Sequence, residues 1–100
     1  MPRLHLHFQE GFRGDDVVIR VDGEECLRLA GLQSKPAHGY ADLKNSVEVA
    51  EGAHAVEISI PSRQIEKRID VDAKGDLYIG IGLGPDEARV RIRHDAPGYG

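Results

Sequence analysis

His5 and His7 stand one residue apart on the same side of an alternating segment, and two imidazoles at that spacing can share a metal ion. A third ligand would have to come from His38, His94 or an acid. Two ligands close no site, so the plainer expectation is a pair of solvated histidines on an amphipathic strand. A small metal-binding protein or metal-dependent enzyme using His5 and His7 is the alternative. The run Asp70-x-Asp72-x-Lys74-Gly75-Asp76 imitates the opening of a calcium loop. Lys74 occupies a ligand position there, and Ile81 stands where the bidentate glutamate belongs, which argues against calcium. Cys26 has no CxxC partner and is expected to be a buried or half-buried inert thiol. His54 falls on an apolar face near a turn, where an imidazole commonly finds a backbone partner. The glycine-rich run 80–84 alternates Ile81 and Leu83 as core and precedes no helix that could receive a phosphate. No nucleophile elbow is present. The expectation is no enzyme and no cofactor.

A binding surface is the sharper possibility. Between residues 76 and 94, Leu77, Ile79, Ile81 and Leu83 alternate with Tyr78, Gly80 and Gly82, and Val90 and Ile92 alternate with Arg89, Arg91 and Arg93. With residues 84–87 as the loop, Ile81 faces Val90 and Ile79 faces Ile92, so the two apolar sets share a face. If the preceding strand joins as a meander, three rows form on the other face. They are Asp70, Tyr78 and Arg93; Arg68, Gly80 and Arg91; and Glu66, Gly82 and Arg89. The glycines then leave a shallow trough walled by charges and closed by Tyr78. A ring beside guanidinium groups suits a small anionic or sugar-like ligand. Solvated cross-strand pairs, Glu66–Arg89 and Asp70–Arg93, are the bland alternative.

The positioning elements are strands. Residues 3–9 alternate, with Leu4, Leu6 and Phe8 on one side, and a turn through Gly11 and Gly14 follows. Residues 16–21 place Val17, Ile19 and Val21 inward and Val18 on the reverse, before the hairpin signal Asp22-Gly23. Over residues 25–29, a three-residue loop would pair Ile19 with Leu27 and Val17 with Leu29, whereas a two-residue loop would bury Cys26. The first buries more apolar area. Residues 30–41 lack a period and can cross between sheets. Residues 43–50 and 54–60 are expected to pair around Glu51-Gly52, Val49 facing His54, Val47 facing Val56 and Leu43 facing Ile60. Pro61 stops the second of these strands. Residues 64–72 form the strand before the opening hairpin, with Ile65, Ile69 and Val71 inward. Seven or eight short strands and no helical period indicate one all-β antiparallel sandwich over residues 1–95, with a Pro/Gly tail at 96–100. The core expected from this pattern includes Leu6, Phe8, Val17, Ile19, Val47, Val49, Val56, Ile58, Ile60, Ile69, Val71, Leu77, Ile79, Ile81, Val90 and Ile92.

One hundred residues make one domain with a modest core, and 40% hydrophobic with 30% charged residues is ordinary for a folded chain. A formal charge of −4 offers no global field for nucleic acid or anionic lipid, so neither is expected as a partner. The single cysteine permits no internal disulfide and favours a reducing compartment, with the cytoplasm as default. The opening residues contain no apolar signal core, and no run reaches membrane-spanning length.

The stretches VIRVDGEE, VEVAEGAHAVEISIP and IEKRIDVDAKGDLYIGIGL resemble PEGA-like or, more broadly, transthyretin-like immunoglobulin-type modules over residues 15–83. Gly52, His54, Val56 and Ile58 match the family's Gly-x-His-x-Val-x-Val strand, while its Pro-Gly-Tyr is Pro61-Ser62-Arg63 here. The resemblance implies an immunoglobulin-like β-sandwich, extracytoplasmic or periplasmic, acting as a non-catalytic binding or protein-interaction module.

Overall fold

The computed structural model describes residues 1–34 and 42–94, with the side chains of residues 42–44 left aside. Eight strands follow one another: β1 (Arg3–Phe8), β2 (Arg13–Val21), β3 (Glu24–Gln33), β4 (Asp42–Glu48), β5 (Gly52–Ile60), β6 (Ile65–Ala73), β7 (Leu77–Leu83) and β8 (Ala88–Arg93). A 3-10 turn, Pro61–Arg63, separates β5 from β6. The strands form two four-stranded sheets, ordered β4-β1-β7-β8 and β3-β2-β5-β6. The expected tail at 96–100, together with residue 95 and most of the 30–41 connection, lies outside the described residues.

The period-two pattern built the layers as expected. Leu4, Leu6, Phe8, Leu77, Ile79 and Ile81 from one sheet meet Val17, Ile19, Val56, Ile58 and Ile60 from the other, each at 2% exposure or less. Full burial of such side chains is worth about 1.5–3 kcal/mol each before ordering entropy. Phe12, just past β1, is also fully buried and meets the Phe8 ring edge-on at 5.8 Å. Val47, Ile69 and Val90 are only partly buried against this core. Ile92, expected inside, is 42% exposed because the edge strand β8 carries it past the cover of the opposite layer.

Three expected pairings are corrected. The sandwich is not wholly antiparallel: β1 runs parallel to β7, Leu4 beside Leu77 and Phe8 beside Ile81, so one sheet is mixed. β7 is buried along almost its whole length and has a neighbour on each side, with β1 in the place where β6 was expected. β6 does not join that sheet. It pairs with β5 along its entire length, from Gly52↔Ala73 to Ile60↔Ile65. β4 pairs with β1 rather than β5, so Leu43, Val47 and Val49 do not face Ile60, Val56 and His54. Val49 still donates its amide to the Pro2 carbonyl at 3.0 Å, which keeps the chain with β1 until the last residues before Gly52.

At the β2–β3 turn, both loop lengths weighed from the sequence are half right. Val21 pairs with Glu24 around a two-residue Asp22-Gly23 turn, and Ile19 nonetheless pairs with Leu27. Cys26 is the extra residue that reconciles them, a bulge between Arg20↔Glu25 and Ile19↔Leu27. It is exposed rather than buried, with its Sγ–H directed at the Ile19 carbonyl at 3.4 Å. Desolvation of the sulfur raises the thiol pKa above its ordinary 9.0. Gly23 takes positive φ, as its turn requires, and Asp22 joins it at 53°; Gly52 also has positive φ, but it opens β5 opposite Ala73 instead of closing the expected hairpin with β4.

Candidate functional site

The outer face of β1, β7 and β8 collects the residues singled out for binding. Tyr78, Gly80 and Gly82 stand directly opposite Arg93, Arg91 and Arg89 of β8. The other wall differs from expectation. Glu66, Arg68 and Asp70 lie in the second sheet, opposite Ser59, Glu57 and Ala55, so they flank nothing on β7. Asp70 is 3.5 Å from Arg68 there, and the cross-strand pairs Glu66–Arg89 and Asp70–Arg93 do not form. The wall belongs to β1 instead, with His5 beside Tyr78 and His7 beside Gly80.

This parallel pairing builds an aromatic platform. The Tyr78 and His5 rings stack at 4.5 Å with planes 9° apart, and His7 meets Tyr78 edge-on at 5.8 Å. Asp76 anchors the stack: its Oδ2 lies 3.0 Å from His5 Nε2, and its Oδ1 accepts the Arg3 amide at 3.0 Å. The hydrogen bond from His5, then that from Arg3, holds the Asp76 carboxyl below its usual range. His7 is 8% exposed, and burial followed by repulsion from His5 lowers its pKa below the ordinary 6.5, which favours the neutral ring. Asp76 was invisible as a partner of His5 in the sequence, because 71 residues separate them.

The trough is not open. Past β1 the chain keeps pace with β7, Gln9 donating its amide to the Ile81 carbonyl and Glu10 accepting from the Leu83 amide, both at 2.8 Å. Their side chains therefore lie across the two glycines. A Cβ on Gly80 would stand 2.8 Å from Gln9 Nε2, and one on Gly82 would stand 2.8 Å from the Glu10 carboxyl carbon. The glycines make room for these two side chains rather than for a vacant floor. What stays accessible is the half-buried Tyr78 and the exposed arginine column. Arg89 and Arg91 form no ion pair among the described residues.

The metal and calcium readings gain no support. His5 and His7 both turn to Tyr78, His5 Nε2 is taken by Asp76, and His94 is exposed just past β8, two strands across the sheet from β1. His38 lies outside the described residues. Among the described residues no three His, Cys, Asp or Glu side chains are grouped so as to hold a metal ion. The apparent calcium loop is strand β6 and the turn after it, with Lys74 reaching Asp72 at 3.7 Å.

At one end of the sandwich a second cluster escaped the sequence analysis. Arg63, on the 3-10 turn, clamps Asp15 of β2 through Nε at 3.0 Å and Nη2 at 2.9 Å. Its Nη2 also donates to the Gly11 carbonyl at 2.7 Å and its Nη1 to that of Gly84 at 3.2 Å. Asp15 accepts further from the Arg13 amide and the Ser62 hydroxyl, both at 2.8 Å. Burial by itself would raise the Asp15 pKa, but these donors outweigh it and hold the carboxyl ionised.

No helix among the described residues is long and apolar enough to cross a membrane. No protein-family model, curated protein or solved structure matches the chain.

Proposed function

We propose that this chain is a non-catalytic binding module of immunoglobulin-like type, taking a small anionic or sugar-like ligand on the outer face of β1, β7 and β8. One observation carries the reading. The Tyr78 ring is held flat against His5 with Arg93 as its direct cross-strand partner, and the exposed Arg91 stands in the next row with no ion pair among the described residues. A fixed ring beside guanidinium groups offers stacking and forked hydrogen bonds together. His5 and Asp76 preorganise the ring, so little ordering remains to be done on binding.

Catalysis has less support. Two carboxylate–imidazole pairs exist among the described residues, Asp76–His5 and Asp22–His54, and in neither does a described serine or cysteine reach the imidazole. The resemblance to PEGA-like modules favours the same non-enzymatic role and rests on its residues alone.

A panel of uronic and sulfated sugars and aromatic carboxylates, read by isothermal titration, tests the assignment. Binding should be lost in Tyr78→Ala and in Arg91→Ala while the melting temperature of Arg91→Ala stays at the parent value. A ligand indifferent to both substitutions, or no binding across the panel, refutes it.

A further inference from the structure

A depression of about 340 Å3 opens where the start of β2, the 3-10 turn and the β7–β8 connection meet. Arg13, Arg63 and Arg89 surround a floor that includes Gly11, Leu83 and Gly84. Arg89 leans over that floor, its Nη2 only 3.3 Å from where a Cβ on Gly84 would stand. Arg63 uses four of its five N–H groups on Asp15, Gly11 and Gly84, which leaves one on Nη1 and fixes the guanidinium plane. Asp15 offsets the Arg63 charge. Arg13 and Arg89 are exposed and meet no described carboxylate within ion-pair distance, so neither guanidinium at the rim is locked in an ion pair.

The floor is rigid for a stated reason. Gly11 has φ +91°, and a Cβ there would collide with the Leu83 carbonyl, so the backbone of the β1–β2 connection presses directly on β7. Two acids stand nearby: the Glu10 carboxylate lies over Gly82, and Glu87 Cγ would be 3.4 Å from a Gly84 Cβ.

We infer that this depression is a site for a tetrahedral oxyanion, the phosphate or sulfate group of a ligand, held between Arg13 and Arg89 above the remaining Arg63 N–H. Three guanidinium groups from three chain segments suit an oxyanion with oxygens in several directions, whereas a carboxylate is satisfied by a single fork. Arg89 and Arg93 lie four residues apart on β8, about 13 Å along the strand. The depression is thus separate from the Tyr78 platform, and the two assignments stand independently.

The test is titration of the intact protein with inorganic phosphate and, separately, glycerol 3-phosphate at low ionic strength, followed by amide chemical shifts. Saturable shifts are expected at Gly11, Arg13, Gly84 and Arg89. Affinity should fall about tenfold in Arg13→Gln, the factor for one charge-assisted hydrogen bond. It should fall again on adding salt, and it should rise in Glu10→Gln, which removes one of the negative charges beside the depression. Equal affinity for the two probes identifies the free ion as sufficient, and tighter binding of the ester identifies a phosphorylated ligand. Tyr78→Ala should leave the response unchanged, so failure here is distinguishable from failure of the platform. Shifts that do not saturate, or an Arg13→Gln protein that binds as the parent does, overturn the inference.

Discussion

His54 and Asp22, 32 residues apart, are joined by an Nδ1–Oδ2 contact of 2.6 Å. The opposite ring nitrogen, Nε2, lies 2.6 Å from the Ala50 carbonyl oxygen. A carboxylate and a carbonyl both accept, so this pair of contacts favours the doubly protonated ring. Asp22 also accepts the Ala55 amide at 2.9 Å, which pins the β2–β3 turn to β5. The backbone partner foreseen for His54 is present, and the carboxylate is an addition.

A pH dependence follows from that pair. The hydrogen bond to Asp22, then that to Ala50, raises the His54 pKa above its ordinary 6.5. Its stabilisation is therefore complete below pH 6.5 and lost as pH rises through the folded-state value. Asp22 is lowered from 3.8, chiefly by His54, so its share is present above pH 3.8 and lost as pH falls. The melting-temperature gap between the parent and His54→Gln should be widest between these limits and should shrink above neutrality. A gap that stays constant up to alkaline pH would show that the ring is not protonated.

Two isoleucines that look alike in the sequence should behave differently. Ile79 is fully buried, and Ile79→Ala should cost about 2–5 kcal/mol in urea unfolding. Ile92, paired directly with it but 42% exposed, should cost less than about 1 kcal/mol. Comparable losses would place Ile92 back in the core.

The Asp15–Arg63 clamp should be the most sensitive polar contact. The Asp15 side chain is 6% exposed, and Asp15→Ala deprives the partly exposed Arg63 guanidinium of its counter-ion, at about 1–3 kcal/mol. Arg63→Lys should fail to restore stability, because an ammonium cannot reproduce the two parallel bonds. Parent-like stability in Arg63→Lys would reduce the clamp to a simple charge pair.

Faces were legible in the sequence and neighbours were not. The β7–β8 register, Ile81 opposite Val90 and Ile79 opposite Ile92, came from matched alternation on either side of one short loop. The same alternation in β6 named its inward residues, Ile65, Ile69 and Val71, but held no information on which sheet would take the strand. Tyr78, Gly80 and Gly82 were accordingly placed correctly against the arginines and wrongly against β6. Lys67 broke the inward pattern because it sits at an edge, where its Nζ reaches across to the Ala88 carbonyl of β8 at 3.3 Å. The Cys26 bulge escaped because a period of two admits one register at a time, and the strand uses both. Arg63 carried no signal at all, since a buried clamp between a turn and a distant strand leaves no local spacing.

The parallel contact between β1 and β7 also sets a clock. Arg3 and Asp76, bonded at the head of that ladder, are 73 residues apart, and β4 on the other side of β1 lies more than half as far away. The sheet β4-β1-β7-β8 cannot close until β7 and β8 have left the ribosome, whereas β2 and β3 can form a local hairpin early. Such separation between contacting residues places folding on a scale of milliseconds to seconds rather than microseconds. Until β7 arrives, Leu4, Leu6 and Phe8 lack the parallel neighbour that completes their burial, which leaves apolar surface exposed on the incomplete fold.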